Sequence, residues 1–138
     1  MSIKLTKDST ASPDEYSQST GLDPVSVSLT LDGTGSPATV SGVPSTNLFV
    51  WADDDTTNID NYSSVSLSIS GADTGITWSL STDDTTFSSS IDLSDIDVSS
   101  TYQAVQVYAK ATALNDGSVL TANYTTADIL ITATENPA

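Results

Sequence analysis

The stretch "SVSLSIS", residues 64–70, alternates strictly, with Val65, Leu67 and Ile69 on one side and serines on the other. A two-residue period is that of a half-buried β-strand, and no helical face can be drawn through it. The same period holds in "VSVSLTL" (25–31), which sets Val25, Val27, Leu29 and Leu31 together, and in "ITWSLS" (76–81), with Ile76, Trp78 and Leu80. "TYQAVQVYAKATA" (101–113) is the longest such run and puts Val105, Val107, Ala109 and Ala111 on one face. Between and beyond these runs the chain reads as turns and shorter strands. "DGTGSP" and "GADTG" turn it, and "NDG" at 115–117 is a hairpin signal. "ATVSGV", "TNLFVWA", "SVLTANY" and "ADILITAT" add strands, and "IDLSDIDV" reads as a strand or a short 3₁₀ turn.

The spacing predicts an all-β fold: about seven to nine antiparallel strands, one every 8–12 residues or so, in a β-sandwich over residues 25–135. An immunoglobulin-like sandwich is the first choice and a jelly roll the second. The core is expected around Trp51 and Trp78. Immunoglobulin domains carry a tyrosine two residues before the cysteine of their penultimate strand. "YQA" offers Tyr102 and Ala104 there, but Val105 and Val107 make the more apolar face, so Tyr102 reads as an ordinary strand residue.

Composition narrows the function. The 138 residues contain no cysteine and no histidine, which removes disulfides, thiolate chemistry and the usual general base near neutral pH. Eighteen acidic residues stand against three lysines, a formal charge of −15. Such a surface repels phosphate polymers and anionic lipid, so no nucleic acid and no membrane partner is expected. Serine and threonine make up about a third of the chain, and all but two of the acids are aspartate, a composition of turns and strands.

The most chemical-looking stretch is "VWADDDTTNIDNY" (50–62). Asp53, Asp55 and Thr57 alternate as calcium ligands do. The helix-flanked calcium loop then requires glycine sixth and glutamate twelfth, where this chain has Asn58 and Ser64. A sandwich-type calcium site sharing Asp60, Asp83 or Asp84 stays open as an alternative. The favoured reading is a hydrated loop that joins two strands and discourages edge pairing, with no metal and no cofactor. Carboxylate pairs for glycoside hydrolysis carry little weight in a chain with so many aspartates. A serine nucleophile has only Lys110 to activate it, and Lys110 is expected on the outer face of a long strand. No enzyme is expected. Tyr16, Tyr62 and Tyr124 are the candidates for surface aromatics in a carbohydrate-binding module, and scattered strand and loop tyrosines are the plainer reading.

Residues 1–24 read as an extended N-terminal arm, holding Pro13, Gly21 and Pro24 and no apolar period. Its first residues are the exception: Ile3 and Leu5 alternate with Lys4 and Thr6, a strand fit to pair with a sheet edge. The arm also carries two of the three lysines. Ile3, Lys4, Leu5 and Lys7 are therefore the expected partner contact, in a homo-oligomer or on an acidic neighbour. No apolar export core follows Met1.

The opening "IKLTKDSTASPDEYSQSTGLDPVSVSLTLDG" and the ending "ADILITATENPA" resemble small virion proteins of marine and aquatic tailed bacteriophages, which join a short polar arm to one immunoglobulin-like sandwich. The resemblance implies synthesis in the host cytoplasm and residence in the virion. It implies a capsid decoration (cement) protein bound to the major capsid protein or another virion protein. A head or neck fibre or tail component is the alternative within that class. A carbohydrate- or calcium-binding adhesin module is the alternative outside it.

Overall fold

A computed structural model of the chain describes residues 3–16, 25–54, 58–119, 121–124 and 127–138. Among them are eleven strands: β1 (Ile3–Thr6), β2 (Val27–Leu29), β3 (Thr39–Gly42), β4 (Leu48–Ala52), β5 (Ile59–Ser70), β6 (Ile76–Ser81), β7 (Ser90–Leu93), β8 (Ile96–Asp97), β9 (Gln103–Leu114), β10 (Ala122–Tyr124) and β11 (Asp128–Pro137). All pairings are antiparallel. One sheet runs β1-β4-β9-β3 with β6 also on β9, a second runs β11-β5-β7 with β8 also on β5, and β10 pairs with β2. The fold is an all-β sandwich. The strand number exceeds the expected one because β7 and β8 divide what the sequence reads as a single run, and because β1 joins the domain.

The alternating residues meet in one core. Val27 and Leu29 of β2, Val50 of β4, Leu67 of β5, Leu80 of β6, Val107 and Ala111 of β9 and Ile129 of β11 are all buried within it. Burying a Val, Leu or Ile side chain stabilises by about 1.5–3 kcal/mol, so these rows hold the sheets face to face. Gly42 lies where β2 crosses β3: a Cβ there would stand 2.9 Å from the Ser28 carbonyl oxygen.

β5 departs from strict alternation in an informative way. Its buried residues Ile59, Tyr62 and Val65 are three apart, and only Val65 and Leu67 are two apart. The pairing explains this. Against β11, Thr132 faces Ser66 and Thr134 faces Ser63, so β5 holds one extra residue; it holds another between Ile59 and Asn61, opposite Pro137 and Asn136. Each β-bulge inserts a residue and returns the next apolar side chain to the core. Ser64 takes the strained position, with φ of 50°.

Three expectations are corrected. Trp51 does not share the core of Trp78. Leu48, Val50 and Ala52 fill the inner face of β4, so Trp51 lies on the outer face, buried there beside Tyr102 at a ring-centroid distance of 5.5 Å. "NDG" is not a hairpin turn, since β9 pairs with β3, β4 and β6 whereas β10 pairs with β2. Instead Asn115 is 1% exposed and fastens the distant turn at residues 32–37. Its Oδ1 accepts from the Gly33 N–H at 2.9 Å, and its Nδ2 donates to Asp32 and to the Pro37 carbonyl. Lastly, residues 3–16 fold onto the sandwich: β1 pairs with β4 along Ile3–Ala52 to Thr6–Phe49, and Leu5 and Tyr16 are buried. An edge strand with two apolar residues buries them on its own sheet at less entropic cost than on a separate molecule.

Candidate functional site

The four expected contact residues lie together on and just after β1, but they serve the chain's own docking. Leu5 enters the core with 3% of its surface exposed. Ile3 packs against that core, half-buried. Lys4, opposite Trp51 in the pairing, stands over the Trp51 ring at 4.7 Å and forms an ion pair with Glu15. Lys7 stands 5.5 Å from the Tyr16 ring centroid. The segment then closes on itself. The Lys7 N–H donates to the Asp14 carbonyl, and the Tyr16 N–H donates to that of Leu5. The Tyr16 hydroxyl reaches the carbonyls of Thr46 and Asn47, and the Trp51 indole N–H donates to the Thr10 carbonyl at 3.0 Å. Residues 3–16 thus form a small cover over the outer face and edge of β4. Trp51 and Tyr16 both need a polar partner when buried: the cover supplies the Thr10 carbonyl to Trp51, and the residues before β4 supply the Thr46 and Asn47 carbonyls to Tyr16.

A second feature was not singled out from the sequence, although a D-x-S/T signal marks it. Five aspartates each accept from the residues two or three positions on. Thr10 Oγ1, followed by the backbone N–H groups of Asp14 and Thr10, holds the Asp8 carboxyl below the usual carboxylate range. The Thr34 N–H and hydroxyl, then Asn115, do the same for Asp32. Thr86 and Thr85 N–H groups and the Ser81 hydroxyl act on Asp83, Ser99 on Asp97 and Ser118 on Asp116. Carboxylates in such turns replace a missing strand partner for the loop backbone, which is a structural role.

Of the acidic loop, Asp55 and Thr57 lie outside the described residues. Its described ends are anchored: the Tyr62 hydroxyl donates to the Asp53 carbonyl and the Ile59 N–H to that of Asp54. Asp83 is engaged in its own turn. Among the described residues no three carboxylates are grouped to hold a metal ion. Of the three candidate surface aromatics, Tyr62 is fully buried, Tyr16 is nearly so, and Tyr124 is half-buried. Lys110 lies on the outer face of β9, 4.4 Å from the Phe87 ring centroid, between the inward Ala109 and Ala111.

A cleft of about 530 Å³ opens along one side of the sandwich. β6 pairs with β9 only from Tyr108 to Ala113 and ends at Ser81; Thr82 marks one end of the cleft. Beyond that point Gln103 and Val105 of β9 form one wall and the β7–β8 corner, Leu93 to Asp97, forms the other. The two sheets separate here, so Val105 and Leu93, which face the core, are only half covered. Asp92, Asp95 and Asp97 stand exposed around the opening.

Compared with known proteins, the chain matches no protein-family model, no curated protein and no solved structure. Among the described residues no helix is long and apolar enough to cross a membrane.

Proposed function

We propose that the chain is a non-enzymatic virion structural protein, a capsid decoration (cement) module of a tailed bacteriophage held on the major capsid protein lattice. The observation that carries this reading is how its charged groups are used. Five aspartates hold their own turns, and each lysine lies over an aromatic ring of its own chain. The chemistry of the side chains serves a sandwich with a hydrated, anionic exterior, as suits a module displayed in many copies on a particle. The likeness of both chain ends to small phage virion proteins supports the same reading. Attachment then depends on the sheet edges and the cleft, since the cover over β4 is engaged within the molecule.

The test is localisation on particles. An antibody raised against the purified chain is applied to density-banded phage from the source sample and followed by gold labelling. Regular labelling of heads is expected. Antigen found only in the soluble lysate, with unlabelled particles, would overturn the proposal, and labelling confined to necks or tails would move the chain to another virion part.

A further inference from the structure

The open side of the sandwich has the form of a slot from which one strand is missing. Gln103 to Val107 of β9 pair with β4 and, among the described residues, with no other strand, because β6 ends before reaching them. Leu93, Ile96 and Val105 form an apolar floor between the sheets. Asp92, Asp95 and Asp97 line the same cleft, and all three lysines of the chain lie elsewhere. An extended peptide laid along such a slot sends alternate side chains inward and the others to the rim. Apolar residues suit the floor and cations suit the rim.

From this we infer that the cleft between β9 and the β7–β8 corner is a docking site for an extended segment of a partner protein in which lysine or arginine alternates with small apolar residues. A second copy of the chain is a poor occupant. Its one alternating basic stretch, Ile3 to Lys7, is already docked on its own β4. The inference rests on the reading of the chain as an assembly module and names the chemistry of its attachment. Rim charges of opposite sign to the ligand set the salt dependence and the on-rate, and the apolar floor sets how long the segment stays.

The experiment uses the full chain and a fluorescein-labelled Lys-Val-Lys-Val-Lys peptide, read by fluorescence anisotropy at low salt. Saturable binding is expected. The pair Asp92→Asn and Asp95→Asn should raise the Kd about fivefold or more. The pair Asp14→Asn and Asp73→Asn removes the same charge from residues that do not line the cleft; it should leave the Kd within about twofold. A Lys-Ser-Lys-Ser-Lys peptide should bind at least about tenfold more weakly, for want of apolar side chains. No saturation up to about 1 mM peptide, a weakness of interest to no assembly, would overturn the inference. So would equal loss with both aspartate pairs, which is plain attraction to an acidic protein, or equal binding of the serine peptide. Gold labelling of particles does not depend on any of these outcomes, so the two proposals fail separately.

Discussion

Leu5→Ala is the sharpest test of whether the N-terminal segment belongs to the domain. Leu5 is 3% exposed and packs in the core from an edge strand. The substitution removes three carbons, worth about 0.8 kcal/mol each in transfer, or about 2.4 kcal/mol. A residual cavity adds to this, although an edge strand can partly collapse, so a loss of about 2–4 kcal/mol is expected. With a urea slope of about 1–3 kcal/mol per molar, the unfolding midpoint should fall by roughly 1 M or more. Lys4→Ala is the comparator. It removes an ion pair whose partners are 36% and 53% exposed and a cation–π contact, and should cost under about 1 kcal/mol. Urea denaturation followed by circular dichroism and by tryptophan fluorescence reads both variants, and fluorescence also reports whether Trp51 has lost its cover. If Leu5→Ala leaves the midpoint and the spectrum at wild-type values, the segment does not dock as described and the reasoning is refuted.

The two tryptophans should respond differently to Phe. Trp51→Phe removes the bond to Thr10 and part of the Tyr102 stack, a loss of about 2–3 kcal/mol. The Trp78 indole N–H is buried with no acceptor among the described residues, so Trp78→Phe should cost under about 1 kcal/mol in the same urea assay; equal costs would contradict this. At the β5 bulge, Ser64→Val should destabilise by about 1–3 kcal/mol, while Ser64→Gly should stay within about 1 kcal/mol of wild type, read as thermal midpoints. Asp8, Asp32, Asp83, Asp97 and Asp116 have folded pKa values below the ordinary 3.8. Their contribution is therefore full above that value and lost as pH falls through the lower folded values. Melting temperature should drop below about pH 4, and less steeply in Asp83→Asn; a midpoint still rising at about pH 3 would refute the role of the turns.

Much of this fold is legible in the sequence for one reason: where a strand has one wet and one dry face, the two-residue period states both the strand and its orientation. Val27 and Leu29, Leu67, Trp78 and Leu80, and Val107, Ala109 and Ala111 are all placed by it. "LFVWA" defeats the same method. All five residues are apolar, so periodicity cannot tell that Trp51 faces away from Val50. The bulges of β5 are hidden because they depend on the count of residues in β11, whose partners at the bulges lie more than sixty positions away. "NDG" misleads because Asn115 is held by Asp32, Gly33 and Pro37 across the molecule, and local turn chemistry carries no trace of that. The candidate cleft was equally out of reach. It exists because β6 ends before β9 does, and relative strand length is a property of the assembled sheet.

The placement of the lysines also decides how this chain is detected. Trypsin cuts after Lys4, Lys7 and Lys110 only, and Lys110 lies in the middle of β9, paired with Ser79 of β6. The folded protein therefore offers the enzyme little beyond its first residues. Even the denatured chain yields two very short fragments and the long stretches 8–110 and 111–138. A peptide survey built on trypsin would rest on few peptides of this chain, chiefly 111–138. A protease directed at aspartate, with sixteen sites spread from Asp8 to Asp128, would bring it into view.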